Sequence, residues 1–508
     1  MKLATLILLS ASVASAQGRP NEDDMFGGKE PAPAQAEVAQ AHTAPVQSAT
    51  QPAPQPAASD EEAERLSGGK TSNGFETGRV VDDPLRIGGS FYIRTYGSIA
   101  DKTKFADNKL DVPMLIDLYA DARPTERLRA MILARAQYDP FLSTSFGGVV
   151  LPSTTKPSNP SVALDQAWLS FDISHTVFVT AGRQHVKWGT AHVFNPTDFL
   201  SSQFRDPLST FDTRSGVTMV KASLPWEKMG WNFYAVAVFE PTQQPATGLG
   251  SAGSSGSTPL TGVTTTTSAN GTTFGDVGAA ARAEATFGNT QVGIDGLVQR
   301  GRHGRAGLDV TSSVGPLDLY AEAAIKNGSD VQLWKPAANP IAALGLAGAY
   351  EKDHTDLVVG AAGGIGGDIA LPNNRSMNIT GEYFFNSAGY SDHKIYPWLL
   401  FNGGFQPFYN GKHYGAFVVT LSDSAAHTTY SLSNIANLSD LSAITRFDFN
   451  IKVISFLTLE AYAGVHYGTR GGEFNLAIDV QPIAALGVPE IHTQPTIVDV
   501  GLGARLSL

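Results

Sequence analysis

The feature that most restricts this chain is a two-residue alternation of apolar and polar side chains, in segments of about 10 to 13 residues that recur from Pro84 to Leu508. Between Leu457 and Gly468 the apolar set Leu457, Leu459, Ala461, Ala463, Val465 and Tyr467 alternates with Thr458, Glu460, Tyr462, Gly464, His466 and Gly468. Phe447, Phe449, Ile451 and Val453 oppose Arg446, Asp448, Asn450 and Lys452 in the same way. The closing stretch sets Val498, Val500, Leu502, Ala504, Leu506 and Leu508 against Asp499, Gly501, Gly503, Arg505 and Ser507. Side chains on a strand point to opposite faces in turn, so each segment reads as a strand with one apolar and one wet face.

Such strands can close in two ways: as a sandwich whose apolar faces meet inside, or as a membrane barrel whose apolar faces meet lipid. The joints decide between them. Following the alternation places eighteen strands from 86–98 to 496–508, including 177–188 and 214–224, with 343–352 a further candidate, so the expected number is 16 to 20. The even-numbered joints are short, as at Ala122 to Glu126, Gly288-Asn289 and Gly315-Pro316. The odd-numbered ones include the long stretches 139–160, 189–212, 241–275, 327–354, 387–412 and 469–494. Short turns at one end and long loops at the other are the pattern of a transmembrane barrel. The expected fold is therefore all-β, an antiparallel transmembrane β-barrel over residues 81–508, with outer-membrane lipid around it.

Composition narrows the function. With no cysteine there is no thiolate metal site, disulfide framework or cysteine nucleophile. A net charge of −11 argues against nucleic acid as a partner. Neither a Gly-x-Ser-x-Gly elbow nor a His-Glu-x-x-His motif occurs, the serine-rich run Gly250 to Thr258 included, so no enzyme, metal or cofactor is expected.

The first sixteen residues read as a signal peptide: Lys2, an apolar run from Leu3 to Leu9, and the small-residue site Ala14-Ser15-Ala16. Residues 17–80 are rich in Pro, Ala and Gln and poor in large apolar side chains, so they are expected to stay disordered. They form a periplasmic tail whose candidate partners, through residues 17–75, are peptidoglycan or a periplasmic protein.

Two local resemblances add to this reading. Gly501-x-Gly503-x-x-Leu506-x-Leu508 resembles the terminal signal that outer-membrane barrels present to the barrel-assembly machinery, with leucine in place of the usual final aromatic. Ala181-Gly182-Arg183-Gln184-His185-Val186-Lys187-Trp188-Gly189, followed by Phe194-Asn195-Pro196-Thr197-Asp198, resembles the GRQ…WG…NPTD signature of porin-like barrels akin to the alginate-export type. Gly381-Glu382-Tyr383-Phe384-Phe385-Asn386 fits the same group. The resemblance implies a barrel of the Gram-negative outer membrane and no particular solute.

Eighteen strands enclose more space than wall side chains fill, so the expected function is a channel for passive diffusion of small hydrophilic or charged solutes. The alternative is a structural component of a secretion, motility or adhesion machine tethered through the tail. The loop 189–212 carries Phe194, Phe199, Phe204 and Phe211 and is the candidate constriction, with Asn195, Pro196 and Asp198 beside the aromatics. By alternation Arg94, Arg127, Arg129, Arg135, Arg183, His185 and Lys187 point inward on strands one, three and five. Asp295, Asp309, Asp318, Glu322 and Glu382 do so on strands nine, ten, eleven and thirteen, with Arg282 and Arg305 interrupting them. The expected lumen thus has a basic wall facing an acidic one, and a field across it that sorts solutes by charge.

Overall fold

The computed structural model describes residues 84–508 apart from 142–144, 147–148, 151–158, 202, 210–213, 241–272, 342–345, 347, 403 and 483–489. The signal peptide, the tail 17–80, Phe211 and the run Gly250 to Thr258 lie outside the described residues. No helix among the described residues is long and apolar enough to cross a membrane. The crossing elements are strands.

Eighteen antiparallel strands form the wall. They are β1 Leu85–Ala100, β2 Met114–Thr125, β3 Leu128–Tyr138, β4 Ser161–Ile173, β5 Val177–Gln184, β6 Val217–Trp226, β7 Trp231–Val238, β8 Gly278–Phe287 and β9 Thr290–Val298. The second half comprises β10 Arg305–Val314, β11 Leu317–Lys326, β12 Val358–Leu371, β13 Arg375–Asn386, β14 His413–Asp423, β15 Thr428–Asn437, β16 Ser442–Ile454, β17 Leu457–Gly468 and β18 Thr496–Ser507. Each pairs with its neighbours in sequence, and β1 closes the ring on β18 in a register from Ser90↔Ser507 to Ile99↔Val498. Leu508 extends the seam, its backbone N–H donating to Gly89 at 2.8 Å while its carbonyl accepts from Gly89 at 3.2 Å.

The joints divide as the sequence implies. At one end lie 126–127, 174–176, 227–230, 288–289, 315–316, 372–374, 424–427 and 455–456; at the other lie the long segments 185–216, 327–357, 387–412 and 469–495. Tight hairpins need left-handed backbone to match the strand twist, and Asn373 and Asn374 supply it at φ 64° and 57°, a conformation asparagine tolerates. Only part of the candidate strand at 343–352 lies within the described residues, and that part is not in the wall. Its end, Tyr350–Asp353, pairs with Leu333–Pro336 in a separate two-stranded ribbon within a long loop.

Burial follows the alternation with its sense inverted relative to a soluble domain. Large apolar side chains stand on the outside, among them Leu459, Val465, Ile294 (60% exposed) and Leu502 (69%), while Glu460, His466, Asp499 and Arg446 are buried within. A soluble protein does not show such an apolar band, which needs hydrocarbon around it. Arginine placed at Ile294, in the middle of β9, will therefore cost the barrel roughly 2 to 4 kcal/mol, readable as a lower denaturant midpoint in lipid vesicles.

Candidate functional site: a segment folded into the barrel

The connection after β5 leaves the wall early. β5 ends at Gln184 rather than at the expected 188, just past Gly182 with φ 125°. Val186, Trp188, Phe199 and Leu200 then pack against Val217, Met219, Val236, Val238 and Leu297, the inner side chains of β6, β7 and β9. Phe194 and Leu208 pack further round, with Tyr320, Phe384, Tyr414, Ile435 and Ile444 of β11 and β13–β16. Phe194 is fully buried, stacked on Phe384 with ring centroids 4.8 Å apart. The described residues of 185–209 thus lie inside the barrel.

Aromatic contact alone would leave the segment's backbone N–H groups without partners, and two wall carboxylates meet that need. Glu322 of β11 accepts from the N–H groups of Thr190 (2.7 Å), Ala191 (3.0 Å) and Thr197 (3.3 Å). Glu382 of β13 accepts from those of His192 (2.9 Å), Val193 (3.1 Å) and Phe194 (2.6 Å), and from the Tyr320 hydroxyl at 2.8 Å. Carboxylates holding several N–H groups in a buried place make strong, directional anchors. At its far end the segment is held by Arg446 of β16, whose guanidinium donates to the Leu208 carbonyl at 2.8 Å.

The motif residues build this descent. A side chain on Gly189 (φ 88°) would overlap Thr197 Oγ1, Asn195 Oδ1 and Glu322 Oε2, so only glycine lets the chain approach its anchor. Asn195 donates to the Trp188 carbonyl at 2.7 Å. Pro196 packs close to Gly360 of β12. Asp198 accepts from Ser201 Oγ (2.6 Å) and from Arg214 (2.9 Å), which ties the two limbs of the segment together.

The charged residues are arranged differently from two facing walls. Arg129 is paired with Asp121 at 2.9 Å, Arg135 with Asp117 at 2.8 Å, Arg127 with Asp172 at 2.6 Å and His185 with Asp165 at 3.0 Å, all between neighbouring strands or strand ends. The register sets Arg183 beside Ala167 and Thr218, on the face opposite Gln184 and Met219, and it pairs with Glu240 at 2.8 Å. Lys187 donates to the Ala191 carbonyl at 3.3 Å, within the segment itself. Arg94 lies 4.4 Å and Arg446 4.1 Å from the ring centroid of Tyr462, which both flank.

On the other side, Asp295 and Asp309 each meet Arg282 at 2.6 Å, and Glu284 meets it at 2.7 Å. That group is covered, with Arg282, Asp295 and Asp309 side chains at 1%, 0% and 1% exposure, whereas Asp117 and Arg129 retain 18% and 29%. Glu322 and Glu382 are taken up by the segment. Asp318, exposed beside the short 315–316 turn, accepts from Ser313 Oγ at 2.6 Å. The expected basic and acidic walls are in this way interleaved pairs plus anchors. A bare charge in a confined lumen carries a desolvation cost that a partner on the next strand offsets. Sequence reasoning passed over Asp117, Asp121, Asp165 and Asp172: the first two share a parity in β2, whereas Asp165 and Asp172 differ in parity and are both buried because the register of β4 shifts opposite Leu133/Ala134.

A closed, even-stranded antiparallel barrel with an apolar outer band, short turns at one end and long loops at the other is a transmembrane barrel of the outer-membrane type, and that membrane is its location. No protein-family model matches the chain, and no curated protein matches it in sequence. Solved structures similar to it are Acinetobacter baumannii OccAB1, at 12% identity and TM-score 0.48 over 86% of this chain and 99% of that one, and Pseudomonas aeruginosa OccK11 (OpdR), at 7% and 0.46 over 85% and 99%. A BenF-like porin from Pseudomonas fluorescens Pf-5 stands at 10% and 0.46 over 84% and 98%.

Proposed function

We propose that this chain is an outer-membrane channel for passive diffusion of small hydrophilic or charged solutes, and that the described residues of 185–209 are its constriction. The observation that carries the reading is the pinning of residues 190–197 across the barrel interior by Glu322 and Glu382. A segment held by buried carboxylates narrows the interior permanently, whereas a loop resting at the rim would not. It covers the wall around β8–β10 and leaves Arg129 and Asp117 partly exposed, so the solute path runs along β1–β4. Arg94, Arg129, Arg135, His185 and Lys187 give that path its charge, with their acidic partners moderating it. The machine-component alternative turns on residues 17–75, outside the described residues.

Planar-bilayer recording of the purified chain across a salt gradient tests this. Discrete conductance steps are expected, and Arg129→Gln with Lys187→Gln will shift the reversal potential toward cations without loss of the assembled barrel. A correctly assembled barrel that shows no steps would refute the channel. Steps with unchanged selectivity in the double variant would move the path off β1–β4.

A further inference from the structure

Charged side chains of β2, β3 and β4 form two clusters at different heights on the inner wall. Register puts Asp117 and Asp121 of β2 and Arg129 and Arg135 of β3 on the face of Tyr92 and Leu115, opposite the exposed Ile116, Leu118 and Ile132. Near the short turns Asp121 is held between two guanidiniums, Arg129 at 2.9 Å and Arg123 at 3.0 Å. Nearer the long loops the arrangement is reversed. There Arg135 stands between two carboxylates, Asp117 at 2.8 Å and Asp165 at 3.5 Å, with His185 against Asp165 at 3.0 Å.

The lower cluster thus holds one guanidinium more than it has carboxylates, and the upper one carboxylate more than it has guanidiniums. The Arg127–Asp172 pair beside the lower cluster is closed on itself, its side chains only 8% and 6% exposed. Arg94 of β1 is turned the other way, over Tyr462 of β17. The surplus groups reach the lumen, since Arg123 and Arg129 keep 46% and 29% exposure and Asp117 keeps 18%. Between the clusters the same face is apolar: Met131 and Leu133 of β3 are half-buried, and Trp168 of β4 lies beside Met131.

Asp117 and Asp121 are four residues apart on one strand, about 13 Å at the usual rise. A solute that engages both clusters must carry an ammonium and a carboxylate that far apart, with an apolar stretch between them. An extended peptide advances by the same rise, so about three to four residues span the gap. A free amino acid, with both charges on one carbon, reaches only one cluster.

We propose that the path along β1–β4 selects short peptides with free termini, bound extended with the ammonium at Asp117 and the carboxylate at Arg129 and Arg123. This rests on the channel reading above and names its solute.

The test is single-channel recording of the purified full chain with tetra-alanine, its N-acetyl form, its C-amide form or free alanine added. Tetra-alanine is expected to interrupt the current in events about tenfold longer than those of either capped form, the difference one charge-assisted hydrogen bond makes, while alanine leaves no resolved interruption. Asp117→Asn will shorten the tetra-alanine events about fivefold and leave those of the N-acetyl form as they are, and Arg129→Gln will act likewise against the C-amide form. The capped peptides probe wild type, so the outcome does not depend on either variant assembling. Events of equal length for free and capped peptides, interruptions by alanine as long as those by tetra-alanine, or Asp117→Asn acting equally on the N-acetyl form would each overturn the proposal and leave the channel standing. An assembled barrel without conductance steps would refute the channel, and the peptide path with it.

Discussion

Replacing Glu322 and Glu382 together by alanine will raise single-channel conductance several-fold while leaving the barrel assembled. The change strips acceptors from the N–H groups of Thr190, Ala191, His192, Val193, Phe194 and Thr197, and from the Tyr320 hydroxyl. Each buried donor left without an acceptor costs about 1 to 3 kcal/mol, a burden the segment sheds by lifting into water. The stack of Phe194 on Phe384 resists that movement but contributes only about 0.5 to 1.5 kcal/mol beyond its burial. Strand pairing is untouched, because both carboxylates act through side chains, so the heat-resistant band on a gel should persist. Each single variant is expected to show a smaller rise. Wild-type conductance in an assembled double variant would mean that the segment is held by its apolar contacts alone.

The second large effect concerns pH and the long loops. Glu473, in the 469–495 loop, is buried and accepts from the Phe408 N–H, from Asn410 Nδ2 at 3.0 Å, from the Tyr414 hydroxyl at 2.6 Å and from Asn437 Nδ2 at 2.8 Å. Asp440 accepts from the same Asn437 Nδ2 at 3.0 Å and from the Tyr396 hydroxyl at 3.0 Å. Burial, with the Asp440 charge adding to it, pushes the Glu473 carboxyl up to about 7. Its folded value is thus above its ordinary 4.5, and the stability it lends the clamp is complete below 4.5 and lost as pH rises toward and through 7. The loss runs at up to about 1.4 kcal/mol per pH unit in that window. Hydrogen exchange at Phe408 and Gly411, corrected for the chemical rate, will therefore quicken between pH 5 and 8. Glu473→Gln, neutral throughout, will flatten the dependence. A variant that keeps the wild-type slope would show that Glu473 is not the titrating group.

Much of the wall could be read from residues alone, because the rule that generates it is local. Lipid outside and water inside impose a period of two on every crossing, and β17 begins and ends where alternation places it, at Leu457 and Gly468. The rule failed where the backbone departs from regular pleating. β5 leaves the wall after Gln184, so alternation no longer places His185 or Lys187, and the register sets Arg183 on the face of Ala167 and Thr218, opposite Met219. The anchoring of the segment was harder still to foresee. A carboxylate that accepts backbone N–H groups from a segment far away in the chain leaves no mark in composition or spacing. Glu322 and Glu382 looked like ordinary wall charges for that reason. Aromatics in a loop bound for a wet rim were the one usable hint, and Phe194 and Phe199 are indeed buried among inner wall residues.

The seam between β1 and β18 also bears on how the molecule comes to exist. Every other neighbouring pair in the wall is consecutive in the chain and can zip locally, whereas Ser90↔Ser507 joins residues from opposite ends of the described sequence. Closing so large a loop is entropically slow, and until it happens β1 and β18 are two unsatisfied edges able to recruit any passing strand. The inward segment has its own deadline, since Glu322 and Glu382 lie far along the chain from Thr190 and Phe194 and must find them before the ring shuts. Assembly is thus a race between capture of the segment and completion of the circle, and variants that weaken the anchors should yield, besides wider pores, a fraction of barrels closed with the segment stranded outside.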